Sequence, residues 1–169
     1  MCDYSLESRQ SRPAVVGEKL VTYDFGCGTR GFASVDDVFT AAPAVAVCLL
    51  PGTELAFDAP VKTAEITVYN HVAYTSEHHP GRAIEHKVAR FTKINLEAAC
   101  RHHDGLEFPD QVGVEPVLLT HLVPGQVATV LQMPADLAAA KAEDEATRAN
   151  PYVMARDASG HPVHELVDF

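Results

Sequence analysis

The stretch TSEHHPGRAIEHK, residues 75–87, holds three of the chain's nine histidines: His78, His79 and His86. His71 lies a few residues upstream. Neutral imidazole ligates transition metals, and near neutral pH it also moves protons. A turn centred near His79-Pro80 sets His71 near His86 or, in another register, His86 near Thr75; the first register puts two imidazoles on one face of neighbouring strands, with Cβ atoms ~5 Å apart. Two imidazoles placed so can share one ion through Zn–N bonds of ~2.0–2.1 Å. His78 or His79 then reaches over from the loop, and Glu77 or Glu85 can add a carboxylate. Two histidines and a carboxylate with open positions suit iron or another catalytic metal. Everything depends on register: a slip of one residue turns His86 to the other face and leaves a solvated polar tip.

A second cluster, CRHHDG at 100–105, contains every common zinc-ligand type in Cys100, His102, His103 and Asp104. Its spacing matches no zinc finger or ribbon. The competing reading is a short helix over LEAACRHH, 96–103, with both histidines at the negative end of its dipole and Gly105 just past it. The candidate ligands are therefore His71, His78, His79, His86, Cys100, His102 and His103, and the ion a divalent transition metal, zinc or iron. His161 and His164 sit three apart in HPVHE, where Pro162 favours extended chain and sends them to opposite sides.

Thiol chemistry is the alternative. Removal of Met1 would expose Cys2 as an N-terminal nucleophile with its own amine as base. Cys27 lies near Arg30 in DFGCGTRGF, where a cation lowers a thiol pKa. That glycine-rich stretch lacks the G-x-x-x-x-G-K-[ST] pattern, which excludes a phosphate loop. Its glycines fit a bulge or a close backbone approach instead. No G-x-S-x-G is present, so a hydrolase elbow is absent.

The elements that must carry these residues are mostly strands. AVVGEKLVTYDF (14–25), VAVCLLPGTELAF (45–57) and VLLTHLVPGQVATVLQM (117–133) each read as apolar run, glycine-centred turn, apolar run. AEITVYNHVAY (64–74) alternates, AIEHKVARFTKINL (83–96) is rich in strand formers, and DGLEFPDQVG reads as a loop. The one helix expected is late, about 134–149 within MPADLAAAKAEDEATRAN, with Asp136 as cap or first-turn acid and Asn150-Pro151 as its stop. Strands follow one another without alternating helices, which predicts a mainly β protein, a small antiparallel β-barrel or sandwich.

A length of 169 residues suits a single domain, 1–169, with the helix at 134–150 as an appendage. Lys and Arg total 13 against 23 Asp and Glu, a formal charge of -10. That balance argues against nucleic-acid and anionic-membrane partners, which need a basic surface. No apolar run approaches the ~20 residues of a membrane helix, and the N-terminal residues show no secretory h-region. A cytoplasmic chain is expected, with its four cysteines reduced, since no spacing among them favours a disulfide. A homo-oligomer or a protein partner suits the weakly amphipathic late helix. A metal-binding protein, a non-catalytic interaction or oligomeric scaffold module, and a thiol-dependent enzyme using Cys2 or Cys27 are the three functions to separate. No residue pattern indicates a particular small-molecule ligand.

Overall fold

A computed structural model of the chain describes residues 10–26, 28–40, 44–70, 75–96, 102–110 and 112–142. Strand β1 is Ser11–Pro13, β2 Lys19–Gly26 and β3 Thr29–Ser34. A four-residue helix, α1, Val35–Val38, leads to β4 Ala46–Cys48 and β5 Glu54–Phe57. Strands β6 Val61–Lys62, β7 Ile66–Asn70, β8 Thr75–His79 and β9 Ala83–Ile84 follow. Then come β10 Val88–Lys93, β11 Asp104–Glu107, β12 Val117–Leu118, a 3₁₀ turn at Leu119–His121, and β13 Val127–Gln132.

Nine strands form one mixed sheet in the order β1-β4-β3-β2-β13-β5-β10-β11-β12. Every pairing is antiparallel except the parallel β1–β4. Among the described residues the ladder does not close on itself. The sheet nevertheless curls strongly. Gly31 and Val47 on β3 and β4 line the same small cavity, about 10 Å³, as Phe91 and Asp104 on β10 and β11. In a flat sheet β4 and β11, six places apart, would be separated by ~28 Å at the usual strand spacing. Phe32 on β3 and Phe57 on β5 likewise bring their rings to 6.4 Å.

Period-two patterning drives the curl. Leu55 and Phe57, Ala89 and Phe91, and Ala128 and Val130 are all buried, at alternate positions of β5, β10 and β13. They join Leu20, Val47, Leu106, Leu119 and Leu122 in one core. The opposite face of β2, β3 and β4 buries a second, smaller cluster of Phe25, Ala33, Ala46 and Cys48.

The three glycine-centred turns form where expected, at Gly17, Gly52 and Gly125, with φ of 84°, 90° and 88°. Those angles suit glycine and strain any other residue. The turns are corners, however, and not hairpins. β1 does not pair with β2, β4 does not pair with β5, and β12 does not pair with β13. Each glycine N–H instead donates to a strand that the turn does not itself join at that point, Val130 O, Phe91 O and Thr22 O respectively. Local sequence encodes a reversal, whereas the partner of each strand is set by which apolar faces meet.

Other expectations need correction. β11 occupies residues read as a loop, and Gly105 sits inside it opposite Leu118, not at a helix end. The segment 97–101, including most of the expected short helix, lies outside the described residues. The late helix begins at 137 and is described to 142, with Asp136 Oδ1 accepting from Ala139 N at 2.9 Å. Residues 143–169 lie outside the described part. The cysteines were expected to be reduced, yet Cys48 is disulfide-bonded.

Candidate functional site

The histidine stretch adopts a register different from the one expected. β7 and β8 pair with Ile66 opposite His79, Thr67 opposite His78 and Asn70 opposite Thr75. Pro80-Gly81 therefore follows this pairing instead of forming its tip. The proline-glycine pair was the strongest turn signal, but the apolar alternation of 66–70 pairs with 75–79 instead. Pro80-Gly81 leads into β9, where backbone crowds closely. A Cβ on Gly81 would stand 2.9 Å from Thr63 O and 3.0 Å from Glu65 N.

This register relocates the imidazoles. His71 lies outside the described residues, as does Cys100. His78 is exposed, with Nε2 3.9 Å from Glu65 Oε1. His86 lies between β9 and β10, its N–H donating to Ile84 O and its carbonyl accepting from Val61 N. Its setting is that of a structural crossing residue. His103 places Nδ1 3.0 Å from Ile94 O, so that nitrogen carries the proton and donates. The His102 carbonyl accepts from Asn95 Nδ2 at 3.4 Å. Among the described residues, no three His, Cys, Asp or Glu side chains gather as a metal-ion group.

One pair does come together. His79, at the end of β8, brings its ring centre to 6.4 Å from that of His121, with the planes 31° apart. His121 was not among the expected ligands. The chain places it there by a short series of backbone bonds. Thr63 bridges Leu122, Ala64 N donates to His121 O at 2.7 Å, and Val123 N donates to Lys62 O. The base of the β7–β8 arm is thereby held against the 3₁₀ turn. Arg30 fixes that turn from the other side, donating from Nη1 to Leu122 O at 2.7 Å and Thr120 O at 3.1 Å.

The His121 ring is half-buried, and burial pushes its pKa down to about 4, helped by the positive fields of His79, His102 and Arg30. At neutral pH it is therefore an uncharged imidazole with a free lone pair, the form that binds metal. Two imidazoles on a tetrahedral ion have ring centres ~5 Å apart, so the observed pair needs to close by only ~1 Å. The one signal that could have singled out His121 is its place in LLTHLVPG, a polar ring alone in an apolar run before a corner turn.

The other concentration of charge is inside the sheet. Lys93 and Asp104 are register partners on β10 and β11, and their side chains meet at 2.5 Å while only 2% and 9% exposed. Lys93 Nζ also lies 5.6 Å from the Phe91 ring centre. Cys27, Cys2, His161 and His164 fall outside the described residues. The glycine-rich stretch around Cys27 forms the β2–β3 hairpin, with a register shift between Asp24 and Gly26, as its glycines imply. Arg30 is engaged with the 3₁₀ turn and stands 3.7 Å from Asp24.

Comparison with known proteins finds no matching family model, no matching curated protein and no matching solved structure. No helix among the described residues is long and apolar enough to cross a membrane.

Proposed function

We propose that this chain is a metal-binding β protein, a half-open barrel whose edge arm presents a histidine pair to a divalent transition metal, zinc or iron. The carrying observation is the approach of His79 to His121 at the junction of the β7–β8 arm and the 3₁₀ turn. The half-buried, neutral His121 supplies one nitrogen, and the exposed His79 supplies the other. His102 stands close enough to contribute to the electrostatic field at His121 and is the natural third approach. The remaining coordination positions are left to water or substrate, the arrangement of a metal centre with open sites. The acidic balance of the chain favours cations over nucleic acid as partners.

Elemental analysis of untagged protein, followed by equilibrium dialysis against zinc, tests this reading. Retention close to one ion per chain, lost in His79→Ala/His121→Ala and kept in His86→Ala, supports it. Sub-stoichiometric metal that is indifferent to the double substitution rejects it.

A non-catalytic interaction module or homo-oligomeric scaffold is the second reading. It is favoured by large apolar side chains left in solvent, Phe39 at 85% exposed beside α1 above all. Native mass spectrometry reads it directly, and a strict monomer unchanged by Phe39→Ser counts against it.

A further inference from the structure

The Cys48 disulfide bears on where the chain works. Cys48 ends β4, is 4% exposed, and packs in the smaller core cluster with Phe25, Ala33 and Ala46. Its register partner is Pro13, so it stands at the parallel β1–β4 pairing. That pairing is one of the two edges of the nine-stranded sheet. β1 has three residues, and parallel pairs are slightly weaker per residue than antiparallel ones. Proline at Pro13 removes a further donor from it. Ala14 N donating to Cys48 O at 3.0 Å continues the edge by one bond.

We propose that the chain is matured by oxidation at Cys48, in an oxidising compartment rather than in a reducing cytoplasm, and that the bond holds the end of β4 in place. The chain contains four cysteines, and the other three, Cys2, Cys27 and Cys100, lie outside the described residues. The chemistry balances as thiol–disulfide exchange. Two protein thiols and one external disulfide give the protein disulfide and two external thiols, so the oxidant is a disulfide of small-molecule or oxidoreductase type. Cross-links of this kind persist where the surroundings are oxidising and are rare where glutathione keeps thiols reduced. Burial of Cys48 adds kinetic protection, because exchange needs a thiolate to reach the sulfur.

The test uses the full chain, purified under air without reductant and digested without reduction. Alkylation before digestion leaves Cys48 unmodified and its peptide joined to one bearing another cysteine. Treatment with a phosphine reductant then adds 2 Da to the intact mass and lowers Tm by roughly 5–15 °C. Amide exchange quickens first at 46–48. Reduction avoids relying on a Cys48→Ala variant, whose cavity would itself lower Tm. Quantitative alkylation of Cys48 in the unreduced protein overturns the proposal. So does a cross-link whose reduction leaves Tm and exchange at 46–48 unchanged.

Discussion

Lys93 and Asp104 face each other across β10 and β11 at 2.5 Å, inside the curled sheet and almost out of reach of water. Neither residue is one of the proposed ligands, and the ion pair bears on how the sheet holds its shape. Removing one member of a buried pair leaves a charge without its counterion, at a cost of ~3–5 kcal/mol. Asp104→Asn should therefore lower unfolding stability by about that much. Lys93→Met/Asp104→Leu should be far less harmful than either single change, since apolar replacement of both members is often neutral. Urea unfolding of the three variants checks this, and equal losses in single and double variants would sink it.

Arg30 holds the 3₁₀ turn through two carbonyls. Hydrogen bonds from a charged donor contribute roughly 1.5–3 kcal/mol, so Arg30→Ala should cost about 2–3 kcal/mol overall. Arg30→Lys should recover only part, because the lysine side chain is one atom shorter and its ammonium does not reproduce the two directed N–H bonds that Nη1 makes. The diagnostic readout is local. Amide exchange at Leu122 and Val123 should accelerate in Arg30→Ala more than exchange at Ala89 or Leu106. Uniform acceleration would show a global effect instead.

Gly81 is set against backbone, with no room for a Cβ beside Thr63 O. Gly81→Ala must shift either β6 or the base of the arm, at roughly 1–3 kcal/mol. Because that contact places β8 against the 3₁₀ turn, the substitution should also weaken metal retention without touching a ligand. Unchanged retention in Gly81→Ala would separate the arm's position from the site.

The corner at Gly17 is held by Glu18, which accepts from the Arg12 guanidinium and from Val15 N. Burial pushes the Glu18 carboxyl up, but the bonds from Arg12 and Val15 and the arginine charge outweigh it, and the net shift is downward. A folded-state pKa below the unfolded value means the contribution is complete above the ordinary glutamate value of 4.5 and is lost as pH falls through the folded value. Glu18→Gln should be less stable at pH 7 by about 1–2 kcal/mol and should lose less than the parent between pH 5 and pH 3. Parallel acid profiles for the two proteins would contradict this.

These relationships show which features short-range sequence encodes. The apolar run holding Leu55 and Phe57 and the strand formers around Phe91 marked strands, and glycine at 17, 52 and 125 marked reversals, because both depend on neighbouring residues alone. The strand partners were not legible. The turns at Gly17, Gly52 and Gly125 look like hairpin turns but join strands that pair elsewhere. The same limitation hid the candidate site. His79 was recognisable as a ligand type, but its partner His121 lies 42 positions away by residue number and meets it only through the pairing of Thr63 with Leu122. Pro80-Gly81 misdirected the register because a close backbone approach calls for glycine as much as a tight turn does.

The most direct test of the metal reading follows the imidazole resonances of selectively labelled protein by NMR during zinc titration at pH 7. The structure predicts that the ring signals of His79 and His121 shift together and saturate at one equivalent, with His102 following and His86 and His103 little changed. Shifts confined to exposed His78, or a His121 signal that stays fixed through saturation, would contradict it.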